Sequence, residues 1–151
     1  MTTLNRTSGR MDNEDIKKLI PQRDPIIMVD KLLNVDGDVA VTALTLRDDN
    51  FFMDEDGRLA EPGLIEHIAQ SALAFAGYRS MASGVIAPPV GYIGEVKKFH
   101  CYRHPHIGDE LRTTIIVGTE MAGVSIITGE THLQEKIIAD TQMKIFIRQN
   151  D

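Results

Sequence analysis

The side chains best suited to proton transfer, Glu66 and His67, lie at the start of a segment with a helical pattern. Carboxylates and imidazoles are the usual general acids and bases of enzymes. Gln70 lies one helical turn after Glu66 on the same face, whereas His67 is rotated by about 100° around the helix. The three residues are candidates for a site. Each of the first two also has a purely structural alternative. Glu66 could face water and be stabilised by the helix dipole, and His67 could be a packed, hydrogen-bonded residue.

A second polar group combines positive charge with histidine over a short stretch: Lys97, Lys98, His100, Arg103, His104 and His106. Because the chain as a whole is acidic, this stretch could dock an acidic partner, with Lys97, Lys98 and Arg103 as the predicted docking residues. It could instead protect the edge of a sheet. Its histidines lack the cysteine and carboxylate pattern typical of zinc sites, so we expect no metal.

The other reactive residues favour structural interpretations. The acidic run Asp54, Glu55 and Asp56 could supply a base, although a solvated acidic turn is the simpler interpretation. Cys101 lacks a recognisable activating neighbour, so we expect a structural thiol. A single cysteine excludes a disulfide framework and favours a reducing compartment, which we take to be the cytoplasm.

Composition narrows the class of protein further. The 16 Lys and Arg against 22 Asp and Glu give a net charge of −6, which argues against a nucleic-acid partner. Apolar runs are too short for a membrane span, so we expect no membrane partner. Residues 1–10 are polar and predict a flexible tail without the apolar region of a signal peptide. Residues 11–151 predict a single domain.

Hydrophobic periodicity predicts an α+β order of elements. Helices are expected at 13–20 and 62–83, and strands at 26–35, 39–46, 90–103, 110–121, 124–135 and 137–148. The long helix is apolar nearly all round, which is typical of a helix covered on several sides. We therefore expect one antiparallel sheet wrapped around one long central helix. The open edges of such a sheet predict a homodimer.

Four segments in this order resemble the hotdog-fold 3-hydroxyacyl-acyl-carrier-protein dehydratases. Residues 20–30 are similar to the family pattern L-P-H-R-x-P-x-L-L-V-D, and residues 50–52 to N-x-x-F-F. Residues 62–70 are similar to the P-G…E-x-x-A-Q start of the central helix. Residues 97–99 with 108–111 resemble K-x-R-F…P-G-D-x-L. The resemblance spans about residues 16–148 and implies the hotdog fold, dimeric in that family and assembled there also as a trimer of dimers.

One departure from the family pattern affects the chemistry. The family carries its catalytic histidine in G-H-F-P after the paired phenylalanines, whereas residues 53–60 here contain no histidine. The run from Pro-Gly to Glu66 is also two residues shorter. In both features the chain resembles the divergent dehydratase-like proteins of aryl-polyene and related pigment clusters.

The resemblance implies dehydration of 3-hydroxyacyl thioesters on acyl carrier protein to trans-2-enoyl thioesters, in fatty-acid or polyene-type biosynthesis. It marks Glu66 as catalytic and Gln70 as substrate-binding, and His67 could replace the missing base. The free N–H groups at the helix start, at Gly63 and Leu64, would bind the enolate oxygen. Substrate arrives on the carrier's phosphopantetheine, so no other cofactor is expected. The acyl chain would be shaped by Ile68, Ala74, Phe75 and Gly77.

Two further functions fit the same residues. Some hotdog thioesterases use a carboxylate on the central helix, so Glu66 with Gln70 could hydrolyse an acyl thioester. Alternatively, the chain is a non-catalytic acyl-binding subunit of a heterodimer, in which a related dehydratase subunit supplies the histidine. Release of free acid would indicate the thioesterase, and turnover only in the presence of the partner would indicate the non-catalytic subunit.

Overall fold

The computed structural model describes residues 13–148, and its elements follow the predicted order. The predicted tail, residues 1–10, lies outside the described residues. The elements are α1 (Asn13–Ile16), β1 (Lys31–Asp36), β2 (Val39–Thr45), α2 (Glu61–Ala82), β3 (Val90–Cys101), β4 (Glu110–Met121), β5 (Val124–Leu133) and β6 (Lys136–Arg148).

The six strands form one antiparallel sheet in the order β1-β2-β4-β5-β6-β3. Tight turns join β1 to β2 and β4 to β5, and both use positive φ angles, at Gly37 and at Ala122 with Gly123. In the described sheet, β1 and β3 are the two edges. The edge formed by β3 becomes important below because it borders the candidate site.

The long helix α2 lies against the inner face of this sheet and contacts every strand. It begins with Pro62 in its first turn, where the missing N–H costs no hydrogen bond. It ends at Ala82; the next residue, Ser83, caps it with a hydroxyl that donates to the carbonyl of Arg79, and Gly84 follows with a φ of 96°. The predicted covered helix is confirmed, since most of its residues from Gly63 to Phe75 are buried.

Two clusters of buried apolar residues hold helix and sheet together. The larger one joins the middle of α2 to α1 and to the sheet and includes Leu19, Ile68, Phe75 and Ile115. The smaller one lies around the start of α2 and includes Leu59, Leu64, Leu111 and Ile138.

Among the helices of residues 13–148, none has the combination of length and apolar composition that a membrane span requires.

Two predicted elements are shorter in the structure. The helix predicted at 13–20 ends at Ile16, and residues 17–19 form a turn in which the N–H groups of Leu19 and Ile20 still donate to the Ile16 carbonyl. The strand predicted at 26–35 begins only at Lys31. Before Lys31, Met28 and the carbonyl of Ile26 bond to side chains of α2 instead, as described below.

Close approach between α2 and the turn after α1 depends on a glycine. A Cβ atom on Gly77 would overlap the backbone carbonyl of Leu19. Two residues further along α2, Arg79 pairs with Asp38 at 2.8 Å and with Glu120 at 3.2 Å, which ties the helix to the turn between β1 and β2 and to the end of β4. Gly77 therefore serves the core and not an acyl tunnel.

We predict that Gly77→Ala lowers the free energy of unfolding by about 1–3 kcal/mol, because overpacking against backbone outweighs the better helix propensity of alanine. Gly118→Ala is the control, since its Cβ would meet only the Ile126 carbonyl, at 3.3 Å. Urea unfolding of both variants measures the difference. Equal stability of Gly77→Ala and wild type would contradict the packing argument.

Candidate functional site

An open groove of about 380 Å³ runs between α2 and the edge strand β3. We call it the Glu66 groove. Its polar lining includes Glu66 and Gln70, and its apolar lining includes Ala69, Leu73 and Ile145. Leu73 lies seven residues after Glu66, or about 10 Å along the helix. The groove therefore has a carboxylate at one point and an apolar wall further along. This arrangement suits a ligand that carries a reactive group on a hydrocarbon chain.

Gln70 is buried and its amide makes three hydrogen bonds. Its Nε2 donates to the Ile26 carbonyl at 2.9 Å and to Glu66 Oε2 at 2.7 Å. Its Oε1 accepts the N–H of Met28 at 2.6 Å. Gln70 thus fixes the position of the Glu66 carboxylate and of the segment that carries Ile26, another residue of the groove wall. Gln70 satisfies backbone groups, as one of the two interpretations expects, and because it also lines the groove its substrate-binding role stays a prediction.

His67 points away from the Glu66 groove, into the contact between α2 and the sheet. Its Nδ1 lies 2.6 Å from the Met28 carbonyl and its Nε2 lies 2.7 Å from the Thr113 hydroxyl. Because a carbonyl only accepts, Nδ1 carries the proton and Nε2 accepts from Thr113. The Thr113 hydroxyl in turn lies 2.7 Å from that of Thr131.

This environment keeps His67 neutral. Burial lowers the pKa of His67 from 6.5 to about 4, against the opposing effect of its hydrogen bond to Met28. The two predicted catalytic residues, Glu66 and His67, therefore do not share a cavity. The structure gives His67 the geometry of a residue that positions Met28.

Gly63 and Leu64 lie beside the groove and not in its wall. Both of their N–H groups point to the Ala60 carbonyl, at 2.9 and 3.3 Å. A Cβ on Gly63 would overlap Phe52 and Leu59, so this glycine allows the loop before α2 to pack closely. The structure does not bring their predicted oxyanion-binding N–H groups to the carboxylate of Glu66.

The predicted docking residues lie on and after β3. Lys97 pairs with Glu95 at 3.6 Å, which offsets part of its charge. Lys98 has a φ of 51° at a break in the pairing of β3 with β6. Arg103 is exposed beyond the end of the strand. The three cations are accessible, and their docking role stays a prediction.

The carboxylate of Asp54 is bonded to other residues of its own turn. Its carboxylate accepts the N–H groups of Arg58 and Asp56 and pairs with the Arg58 guanidinium. These bonds, the one from Arg58 first, lower the pKa of Asp54 below its usual value. The solvated-turn interpretation of residues 54–56 fits this geometry.

Sequence reasoning missed the part of the groove wall contributed by β3, at Gly91, Tyr92 and Ile93. A Cβ on Gly91 would meet Leu73 Cδ1 at 2.9 Å, so glycine brings the strand close to α2. Isolated glycine in a strand is the signal that could have indicated this approach. The acyl-chain residues expected from the sequence, Ile68, Ala74 and Phe75, belong instead to the closed core.

Comparison with known proteins identifies the relatives of this chain. The family model of the ApeP-like dehydratases, described as ApeP dehydratase, matches residues 14–151. The 3-hydroxyacyl-[acyl-carrier-protein] dehydratase FabZ of Campylobacter fetus is 25% identical over 145 residues, covering 91% of this chain and 97% of that protein. FabZ of Allorhizobium ampelinum is 32% identical over 89 residues, covering 56% of this chain and only 58% of its own length.

Solved structures agree with the fold predicted from the resemblance. The dehydratase heterocomplex ApeI:P from Xenorhabdus doucetiae superposes with a TM-score of 0.82 at 16% identity, over 90% of this chain and 91% of that one. The HP0420 homologue from Helicobacter felis gives 0.67 at 14% identity, over 92% and 91%. The hotdog fold is confirmed.

We predict that stability falls on acidification partly through His67. Its folded pKa of about 4 lies below the unfolded value of 6.5, so only the unfolded chain takes up the proton between them. The stabilisation is present above pH 6.5 and is lost as the pH falls towards 4, by up to about 1.4 kcal/mol per pH unit. Urea unfolding from pH 7 to 4.5 measures the slope.

The matched variants are His67→Gln, which cannot titrate, and His132→Gln, which removes a partly exposed histidine from β5. His67→Gln flattens the pH dependence although it is less stable at neutral pH, and His132→Gln leaves the dependence unchanged. A wild-type slope in His67→Gln would show that this histidine is not held neutral.

Proposed function

This chain belongs to the ApeP-like dehydratase family, and we propose that it forms one half of a dehydratase site for 3-hydroxyacyl thioesters, completed by a second subunit across β3. The observation that carries the proposal is the Glu66 carboxylate, held by Gln70 at 2.7 Å beside an apolar groove.

The reaction needs two proton transfers and a chain-binding surface. A base removes the proton next to the thioester carbonyl, an acid protonates the leaving hydroxyl, and water and a trans-2-enoyl thioester result. Glu66 is the group on this chain that exchanges a proton with the substrate. Its hydrogen bond to Gln70 orients one carboxylate oxygen, while Ala69, Leu73 and Ile145 offer the acyl chain an apolar wall.

The second proton-transfer group is proposed to come from a partner subunit. His67 is committed to Met28 and Thr113, and residues 53–60 contain no histidine. In the described sheet one side of β3 has no neighbouring strand, and the groove opens beside it. Any strand that pairs with β3 would therefore extend the groove wall.

The surface of this edge supports such pairing. Tyr92 is 57% exposed and Ile93 is 38% exposed, both on the groove wall, and Phe146 on the neighbouring strand is 44% exposed. Exposed apolar side chains along an open edge are typical of an interaction surface. We propose a related, histidine-bearing dehydratase subunit as the partner. A second copy of this chain, in a dimer or a trimer of dimers, is the alternative.

We propose that the substrate is delivered as the resemblance to the acyl-carrier-protein dehydratases implies. The 3-hydroxyacyl group arrives on the phosphopantetheine arm of an acyl carrier protein, and no other cofactor is required. Lys97, Lys98 and Arg103 are accessible cations on an otherwise acidic chain and are the proposed contacts for an acidic carrier. The cytoplasm is the proposed compartment, since a single cysteine fits a reducing environment.

We predict that Glu66→Gln lowers the rate of water loss by roughly 10²–10⁴-fold, because a positioned proton-transfer group contributes about that much. The wild-type chain and each variant are mixed with a histidine-bearing dehydratase subunit and a 3-hydroxyacyl-carrier protein, and the loss of one water is read by mass spectrometry. Glu135→Gln, in the exposed turn between β5 and β6, is the control.

Each outcome of this experiment is decisive. Wild-type rates in Glu66→Gln contradict the proposed role of the carboxylate. Release of free 3-hydroxy acid instead of an enoyl product would replace dehydration by thioester hydrolysis. Full activity of this chain without any other protein would overturn the histidine-bearing partner and point to a second copy of this chain as the second subunit, with another base.

We predict that Ile93→Lys weakens association with the partner subunit by at least about tenfold, since a charge on the edge opposes strand pairing. Ile116→Lys is the matched control because Ile116 has similar exposure, 41%, but lies on the central strand β4. Sedimentation velocity at several concentrations compares both with wild type. Equal weakening by the two variants would place the interface elsewhere.

A further inference from the structure

Three side chains of types that ligate metals meet outside the Glu66 groove. They are Glu61 at the start of α2, Cys101 at the end of β3 and His104 in the loop that follows. One ligand atom from each lies within 4.8 Å of the others. The Nε2 atom of His104 is 3.9 Å from Glu61 Oε2.

His104 is oriented as a metal-bound histidine would be. Its Nδ1 lies 2.8 Å from the Leu59 carbonyl, and since a carbonyl only accepts, this nitrogen carries the proton. The lone pair of Nε2 is thereby directed towards the cluster. A ring N–H that donates to a backbone carbonyl is the usual support of histidine ligands.

The loop that carries His104 is itself held in place. The N–H of Leu59 donates to the Pro105 carbonyl at 2.8 Å, and Arg58 pairs with His106 in an isolated bridge. On the other side of His104, the N–H of Arg103 donates to the Ile138 carbonyl at 3.4 Å, so backbone contacts flank His104 on both sides. By contrast, among the described residues the Cys101 thiol has one hydrogen-bond partner, the Arg103 carbonyl, at a long 3.6 Å, and it can turn to a new partner.

The donor set of thiolate, imidazole and carboxylate suits Zn²⁺. With bonds of about 2.0–2.3 Å in a tetrahedron, ligand atoms would lie roughly 3.3–3.8 Å apart. Since no two ligand atoms are more than 4.8 Å apart, the cluster must contract by at most about 1.5 Å to reach these distances. Glu61 can supply this movement because its side chain is 54% exposed and on the surface.

We propose that Glu61, Cys101 and His104 form a three-ligand site for Zn²⁺ that ties the start of α2 to the end of β3. The sequence expectation of no metal rested on histidines without cysteine or carboxylate neighbours. The fold supplies both to His104, from a residue three positions away and from one more than forty positions away. The site is independent of the proposed dehydration.

The test is a titration of the purified, metal-stripped chain with Co²⁺, which replaces Zn²⁺ and reports thiolate ligation by its ligand-to-metal charge-transfer absorption. We expect one Co²⁺ per chain, displacement by Zn²⁺, and a higher melting temperature with either metal. Cys101→Ser abolishes the charge-transfer band, and His104→Gln and Glu61→Gln each weaken binding by at least about tenfold.

His106→Gln is the matched control, because His106 is an exposed histidine of the same loop that does not belong to the cluster. It retains wild-type binding. Glu61→Gln changes an exposed side chain, so its result does not depend on whether the more buried variants fold. The proposal is overturned if wild type shows no thiolate band, if Cys101→Ser binds as tightly as wild type, or if His106→Gln and His104→Gln lose equal affinity.

Discussion

The Ile26 carbonyl and both backbone polar groups of Met28 are hydrogen-bonded to side chains of α2, and the position of the candidate site depends on this arrangement. Gln70 bonds to the Ile26 carbonyl and to the Met28 N–H, and His67 bonds to the Met28 carbonyl. Each such buried group would cost about 1–3 kcal/mol if left unpaired. The same Gln70 amide also holds Glu66, so the groove wall and its carboxylate are set by one side chain.

A polar helix face can be buried here because each of its polar groups has a partner. Beyond Gln70 and His67, the Ser71 hydroxyl donates to the His67 carbonyl at 2.8 Å and lies 2.7 Å from the Thr42 hydroxyl. His67 is in turn linked through Thr113 to Thr131. The network has no net charge, so α2 avoids the large cost of an unpaired buried ion. Glu66 lies at the edge of this network, where it is bonded to Gln70 and faces the groove.

The element order and the covered long helix could be predicted from periodicity, proline and glycine alone. Glu66 and Gln70 could be placed on one face because helical spacing determines it. The burial of His67 away from the groove could not be predicted from the sequence. Helical spacing does not reveal that the Met28 carbonyl and the Thr113 hydroxyl lie across from this histidine. The late start of β1 has the same cause, because side chains of α2 replace the expected strand partner. Glu61 and His104 meet only through the packing of the loop before α2 against the loop after β3.

The central claim is that Glu66 lies in half of a site that a second subunit completes across β3. It is tested most directly by a crystal structure of the assembled protein with a stable amide analogue of 3-hydroxyacyl-pantetheine. The account predicts β3 paired with a strand of the partner, and the 3-hydroxy group of the analogue within hydrogen-bond distance of the Glu66 carboxylate. An analogue bound away from Glu66, or a partner that leaves the β3 edge free, would contradict it.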